Sequence, residues 1–542
     1  MALAGSADRG LPAKAAIFPP SSRATTPVMK LLPAIATVGG YTMVSRVLGF
    51  VRDIMIAAFL GAGMVADAFF VAFKLPNFFR RLFAEGAFNA GFVPIFSEIL
   101  EQDGREAARE FAQSALAVLV VALVLLVGLF QAFMPWLMYG LAPGFVGWPE
   151  KFDLTVQLTR ITFPYLLFIS VVSLMGGVLN SVGRFAAVAA TPILLNFCLI
   201  GALLGLARYT DTPGHALAWG VALAGMVQFI WVVWALRRAG MTLRFPRPRF
   251  SPRVKHLLTL MAPAAVGAGV VQINLVIDVV LASLLPSGSV SYLFYADRLN
   301  QLPLGVVGVA VGTALLPLIS REISAGRADA ALGHQNRATE FALLLALPAA
   351  AAFIVLAHPF VSTLFERGAF GSRESDLTAL ALMAYAIGLP AYVLVKVLSP
   401  AYFARQDTAT PVRIAALCVV VNLILNLALM WWLKHVGLAL ATALSAWLNC
   451  LLLARTLSRR GDFVMDQRLR KRLPLTLLST LIMAIGLGLL HGWLETRLAG
   501  SLLDRVMAVV ALASGGVGLF ACAAYVTGAA RLHDLRAFRS GS

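Results

Sequence analysis

Apolar runs about twenty residues long recur along the chain, each closed by a short polar or basic interval. At about 1.5 Å per helical residue, such a run crosses the hydrocarbon core of a bilayer, so each predicts a membrane-spanning helix. About fourteen spans result: 33–60, 64–98, 114–139, 157–181, 186–207, 215–237, 256–284, 290–319, 338–358, 376–402, 411–433, 437–456, 472–494 and 503–528. The expected fold is therefore all-α and polytopic. Two spans break their own pattern. The first carries Arg46, Arg52 and Asp53 within "SRVLGFVRD", and the second carries Asp67, Lys74, Arg80, Arg81 and Glu85.

Composition agrees with a membrane protein: of 542 residues, 60% are hydrophobic and 13% charged. A net charge of +18 could point to nucleic acid, but its placement does not. Arg and Lys gather in alternate loops, as at Arg105 and Arg109, Arg237 to Lys255, Arg321 to Arg337, and Arg455 to Arg472. The intervening loops are short and poor in cations. This is the positive-inside pattern, which predicts cytoplasmic termini and leaves attraction to anionic lipid as a secondary effect. Residues 1–28 are polar and lack the long apolar core of a signal peptide, so they read as a disordered tail or as an over-extended start before Met29. Cys198, Cys418, Cys450 and Cys522 each sit singly in an apolar span, as packing residues do. The histidines show no metal-ligand spacing, and no GxxxxGK phosphate loop is present, so no ATPase is expected.

An internal repeat organises the chain. "RDIMIAAFLGAGMVADAFF" (52–70) aligns with "IDVVLASLLPSGSVSYLFY" (277–295), an offset of 225. "LPNFFRRLFAEGAFNAGFVPIFSEI" (75–99) aligns with "LPLGVVGVAVGTALLPLISREI" (302–323), and "GRFAAVAATP" (183–192) with "ARQDTATP" (404–411). The offset spans six helices. Six is even, so the copies share one orientation, related by an axis along the membrane normal. Two parallel six-helix lobes are expected, 29–240 and 252–460, around a central cationic cavity. A two-helix appendix follows at 471–530, then a cytoplasmic tail at 531–542.

The charges within spans need a reason. Each mid-span charge costs about 2.5–3.5 kcal/mol to insert, so a set this size facing lipid would cost on the order of 20 kcal/mol. They must face a watery interior. In the second span Asp67, Lys74 and Arg81 repeat every seven residues and Glu85 extends the stripe, although Pro76 should kink the helix and blur that registry. Structural glue would demand balanced pairs. Arg46, Arg52, Lys74, Arg80, Arg81, Arg298 and Lys396 stand against only Asp53, Asp67, Glu85 and Asp297, an excess of three cations. An anion-binding cavity fits better, and the planar guanidinium fork suits phosphate.

At these residues the chain resembles the MurJ (MviN) family, lipid II flippases of the multidrug/oligosaccharidyl-lipid/polysaccharide exporter superfamily. The resemblance rests on "SRVLGFVRD", "GAGMVADAFFVAFKLPNFFRRLFAEGAFNAGFVPIFSE", "ITFPYLLFIS", "SGSVSYLFYADRLNQLPLGVVGVAVGTALLPLIS" and "KVLSPAYFARQDTATPVRIA", which together cover nearly all of 29–460. It implies fourteen helices and transfer of undecaprenyl-pyrophosphate-linked disaccharide-pentapeptide to the outer leaflet of the bacterial inner membrane. It implies, too, that Arg46, Arg52, Asp67, Arg80, Arg81, Glu85 and Arg298 are functional cavity charges, and that the last two helices form a groove for the lipid tail. Asp53 and Lys74 join the expected substrate site from their place among these charges.

A second constellation is Asp278 in span seven, Asn422 and Asn426 in span eleven, and Thr442 in span twelve. Carboxylate, amide and hydroxyl oxygens suit a hard monovalent cation such as sodium, the ion to which some family members couple; the alternative is interhelical hydrogen bonding. No other cofactor is expected, and the membrane potential is the other candidate energy source. Partners expected are lipid II, the membrane and the cell-wall synthesis machinery, with no nucleic acid. Two rivals stay open. Another exporter of the superfamily would carry a drug or a different polyprenyl-linked glycan, and a membrane-embedded wall glycosyltransferase would need catalytic carboxylates in a sizeable external loop.

Overall fold

The computed structural model describes residues 28–81 and 88–530. The regular structure of the described residues is all helical, with one isolated bridge between Arg367 and Phe370. The first half holds α1 (Val28–Leu60), α2 (Met64–Phe79), α3 (Phe88–Gln102), α4 (Gly104–Ala132) and α5 (Met134–Leu141). It continues with α6 (Pro149–Thr162), α7 (Tyr165–Ser181), α8 (Phe185–Ala189), α9 (Thr191–Leu206) and α10 (Pro213–Arg238). The second half holds α11 (Pro252–Ser283), α12 (Ser289–Ser324), α13 (Ala328–Val355), α14 (Ala357–Phe365), α15 (Ser372–Phe403) and α16 (Ala409–Arg459). Then come α17 (Gln467–Leu498) and α18 (Leu502–Thr527).

Local sequence explains the boundaries. Ser251 accepts from the Val254 amide, and Pro252, with no amide to satisfy, opens α11. Ser501 and Asp504 form a capping box on α18, which ends at Gly528 with a left-handed φ of 81°. Within the expected span 64–98, Pro76 lies inside α2, residues 80–81 are of π type, and α3 is described from Phe88 onward. Pro164, which has no amide to donate, separates α6 from α7. The 51-residue α16 is two helices meeting at Lys434 (φ 52°, ψ −130°), between the spans expected at 411–433 and 437–456.

Nine of the described helical segments are long and apolar enough to cross a membrane. With α16 counted twice, and with α1, α2 plus α3, α11 and α12 added, the architecture is consistent with fourteen crossings.

The two halves meet most tightly at the end where α1 turns into α2. Phe70 stacks on Phe294 with centroids 3.9 Å apart, and Tyr295 packs edge-on against Phe70 and Phe370. Backbones touch there as well. Gly61 has φ 62°, and a Cβ on it would stand 2.3 Å from the Ala369 carbonyl oxygen. The Ala369 amide donates to Ala58 at 2.8 Å, and the Tyr295 hydroxyl to Gly61 at 3.0 Å. We call this the sealed end. At the other end α11 leans on the first half: Val254 and Leu257 bury in the core of α3, α4, α7 and α10, and Arg253 pairs with Asp103 at 2.6 Å. Helices α17 and α18 pack on Leu356 through Met483, Leu487 and Leu512, fastened by Glu340–Arg472 (2.5 Å) and Glu366–Arg505 (3.1 Å).

Candidate functional site

Helices of both halves bring charge into the interior. From α1, the Arg52 Nε and Nη2 donate to Asp53 Oδ1 at 3.0 and 2.6 Å, while Nη1 donates to Asn196 Oδ1 on α9 at 2.9 Å. The Asn196 amide nitrogen in turn donates to the Ser45 carbonyl at 3.0 Å, tying α9 to α1. From α12, Arg298 Nε reaches Asp53 Oδ2 at 3.3 Å, and its guanidinium lies 4.7 Å above the Phe294 ring. Asp53 is thus shared by two arginines, one from each half. Both Arg52 and Asp53 are buried. Such a shared carboxylate orients the two guanidinium planes without neutralising both.

Around this centre the charges become more open. Arg46 is exposed, and its guanidinium lies against Gly305 of α12, where Nη1 would stand 2.5 Å from a Cβ. Lys396 on α15 is exposed and lies in the field of Arg46. Lys74 on α2 lies in the field of Asp278, Asp297, Arg298 and Arg81. Arg80 Nε donates to Asn77 at 3.1 Å, and Gln301 donates to Asp297. Glu85 lies outside the described residues.

Asp67 is not with them. It sits at the sealed end, where Oδ2 accepts from the Gly288 amide (2.7 Å) and from Lys151 Nζ (2.7 Å). Its Oδ1 accepts from the Ser291 amide (2.9 Å) and hydroxyl (2.6 Å). The α2 carboxylate therefore caps the N-terminus of α12 in the opposite half, answering two amides that α12 cannot satisfy itself, where the helix dipole favours negative charge. Both Asp67 and Lys151 are buried, and Lys151 also lies 4.0 Å over Phe145.

This placement changes the charge balance. Lys151 answers Asp67, and Asp278 comes close enough to act on Lys74. Arg46, Arg52, Lys74, Arg80, Arg81, Arg298 and Lys396 now face Asp53, Asp278 and Asp297, a cationic excess of four among the described residues.

The second constellation assembles in part. Asn426 Nδ2 donates to Asp278 Oδ1 at 3.1 Å and to Asn422 Oδ1 at 3.0 Å. Buried Asn426 Oδ1 and Asn422 Nδ2 have no partner among the described residues. The Thr442 hydroxyl donates to Leu438 on its own helix at 2.9 Å.

Two partners escaped the sequence reading. Asn196 is the lone amide in the apolar run "TPILLNFCLIGALLGL", a signal that could have marked it. Lys151 fell in what read as a loop between spans and carried no signal.

Two helical groups, sealed together at one end with an unbalanced cluster of cations between them, define a polytopic membrane carrier. Residues 56–507 match the family model of lipid II flippase MurJ, and the chain belongs to that family. It is 44% identical to a probable lipid II flippase MurJ of Rhizobium meliloti (strain 1021), over 94% of this chain and 96% of that protein. It is 39% identical to the lipid II flippase MurJ of Burkholderia cenocepacia, over 80% of this chain and 85% of that protein. A solved lipid II flippase MurJ in an inward closed conformation superposes with a TM-score of 0.76 at 27% identity, over 90% of this chain and 98% of that chain. An inward-facing multidrug resistance MATE family transporter of the MOP superfamily matches with a TM-score of 0.65 at 15% identity, over 79% of this chain and 98% of that chain, a likeness of fold alone.

Proposed function

We propose that the protein is a flippase that carries lipid II, the undecaprenyl-pyrophosphate-linked peptidoglycan precursor, from the inner to the outer leaflet of the bacterial cytoplasmic membrane. The reading of its site rests on Asp53 bridging Arg52 and Arg298, one guanidinium from each half. A pyrophosphate entering between the halves competes with Asp53 for both forks; Asp53 thus keeps them aligned while the site is empty. Arg46, Lys74, Arg80, Arg81 and Lys396 supply the field that draws the anion in. Asp67 of α2, capping α12, holds the opposite end shut, and transfer requires that cap to break and the halves to rock. The cation-rich loops, Arg237 to Lys255 among them, lie at the end away from this seal. That asymmetry supports cytoplasmic termini and a seal on the outer side. The exposed apolar face of α17, through Leu477, Leu481, Ile485 and Leu489, supports a path for the isoprenoid tail. Cell-wall synthesis enzymes are the natural partners on both sides of the transfer.

The test is complementation of a flippase-depleted bacterium, with membrane abundance of each variant quantified. Arg52→Lys and Arg298→Lys should fail nearly as badly as the alanine variants, at normal abundance, because a point charge cannot replace a two-point fork. Normal growth of both alanine variants would overturn the site.

A second reading concerns energy coupling. Asp278 with Asn426 and Asn422 presents oxygens suited to a monovalent cation, and the buried Asn426 Oδ1 without a partner supports it. Thr442 joins only if its hydroxyl leaves Leu438. The membrane potential is the alternative drive, worth about 2.3 kcal/mol per charge per 100 mV. Transport at equal rates in sodium and in potassium would leave Asp278 a structural residue.

A further inference from the structure

The strap joining the two halves, residues 239–251, has no regular structure, and among the described residues no backbone hydrogen bond holds 242–250. Both its ends are pinned in one apolar core, by Met241 on one side and Val254 on the other. Between them the sequence "RFPRPRFSP" alternates guanidinium, aromatic ring and proline. Arg244, Arg247 and Arg249 are exposed, and so are Phe245 (57%) and Phe250 (61%). From Arg237 to Lys255 there are seven cations and no acid. Among the described residues only Arg253 of these has a carboxylate within ion-pair distance, Asp103. Beside the strap, Arg238 lies 4.0 Å over Trp234, whose ring is itself exposed and packs on Trp231.

Leu243 packs on that core, but the strap beyond it is largely uncovered. Prolines at 246 and 248 fix φ and remove backbone donors, which favours an extended chain. Exposed phenylalanines between arginines are costly in water and costly in hydrocarbon, yet suited to the boundary between them. The strap also lies where α10 leaves and α11 enters the bilayer, so its height is that of the headgroups.

We propose that residues 242–251 form a docking strap for anionic phospholipid of the adjoining leaflet, with Arg244, Arg247 and Arg249 on headgroup phosphates and Phe245 and Phe250 dipping below them. Anionic lipid is favoured over a protein partner by charge complementarity and by continuity with the membrane boundary at both ends. The strap would thereby fix the one covalent link between the halves to the membrane surface. The proposal needs only that the chain spans a bilayer, not that it carries lipid II.

Hydrogen exchange of the full-length protein in nanodiscs tests it. Amides of 242–251 should exchange about fivefold or more slowly in discs containing phosphatidylglycerol than in pure phosphatidylcholine discs. The difference should vanish in the triple variant Arg244→Gln, Arg247→Gln, Arg249→Gln, and shrink in the separate variant Phe245→Ser, Phe250→Ser. Unchanged exchange in α10 and α11 shows that each variant is folded, and either variant alone suffices. Equal exchange in both discs overturns the proposal. So does slowing that appears only when a polyprenyl pyrophosphate is added to phosphatidylcholine discs, which would assign the strap to substrate capture instead.

Discussion

Asp53 and Asp278 occupy equivalent places, 225 residues apart in the repeat, each on the helix that opens its half. Their surroundings differ. Asp53 lies between Arg52 and Arg298, with Asn196 holding the first guanidinium from behind. Asp278 accepts from Asn426, which is held by Asn422. Each acid sits on the first helix of its half, but Asp278 meets an amide directly whereas Asp53 meets two arginines, one from each half. The comparison teaches how one duplicated framework divides its labour. One carboxylate aligns donors for a phosphate, whereas the other keeps oxygens available for a small cation or for helix packing.

The largest test of that division is to neutralise each acid. Asp53→Asn leaves the buried Arg52 guanidinium, and the half-buried Arg298 beside it, without their shared counter-charge; breaking a buried pair typically costs about 3–5 kcal/mol. It should abolish complementation and lower the melting temperature in detergent. Asp278→Asn swaps one acceptor for another and should cost about 1 kcal/mol. Equal losses in the two variants would erase the distinction drawn between the halves.

The same offset sets Asp67 against Tyr292, so the cap on α12 has no counterpart in the second half. Asp67→Asn and Lys151→Met should each favour opening of the sealed end, measured as increased reaction of a cysteine placed at Ala62. Their effects should be strongly non-additive, with a coupling of about 1–3 kcal/mol, because each residue is the other's charge partner. Additive effects would show that Lys151 is anchored by Phe145 and Ser287 rather than by Asp67.

A smaller effect is expected at Asn196. Replacing it by leucine removes the Arg52 and Ser45 contacts together, about 1 kcal/mol each. Growth should slow rather than fail, since Asp53 still holds Arg52. A null result for Asn196→Leu would leave Asp53 the sole positioning group.

By itself the sequence determined the membrane class, the spans and the repeat, because hydrocarbon demands about twenty apolar residues per crossing and punishes every departure. The same penalty made Arg46, Arg52, Lys74 and Arg298 legible as interior charges before any contact was known. The turns at Gly61 and Lys434 fall between expected spans for that reason. Partnership was not legible. Asp67 shares a heptad stripe with Lys74 and Arg81, yet its side chain leaves that group to cap α12, since a buried helix N-terminus with open amides outcompetes a more distant cation. Lys151 has no apolar run around it and becomes buried only when α6 packs beneath the α1–α2 turn. Only the tertiary structure could decide which two of the arginines share Asp53. Ion pairs form between residues 245 positions apart, a separation over which helical periodicity carries no information.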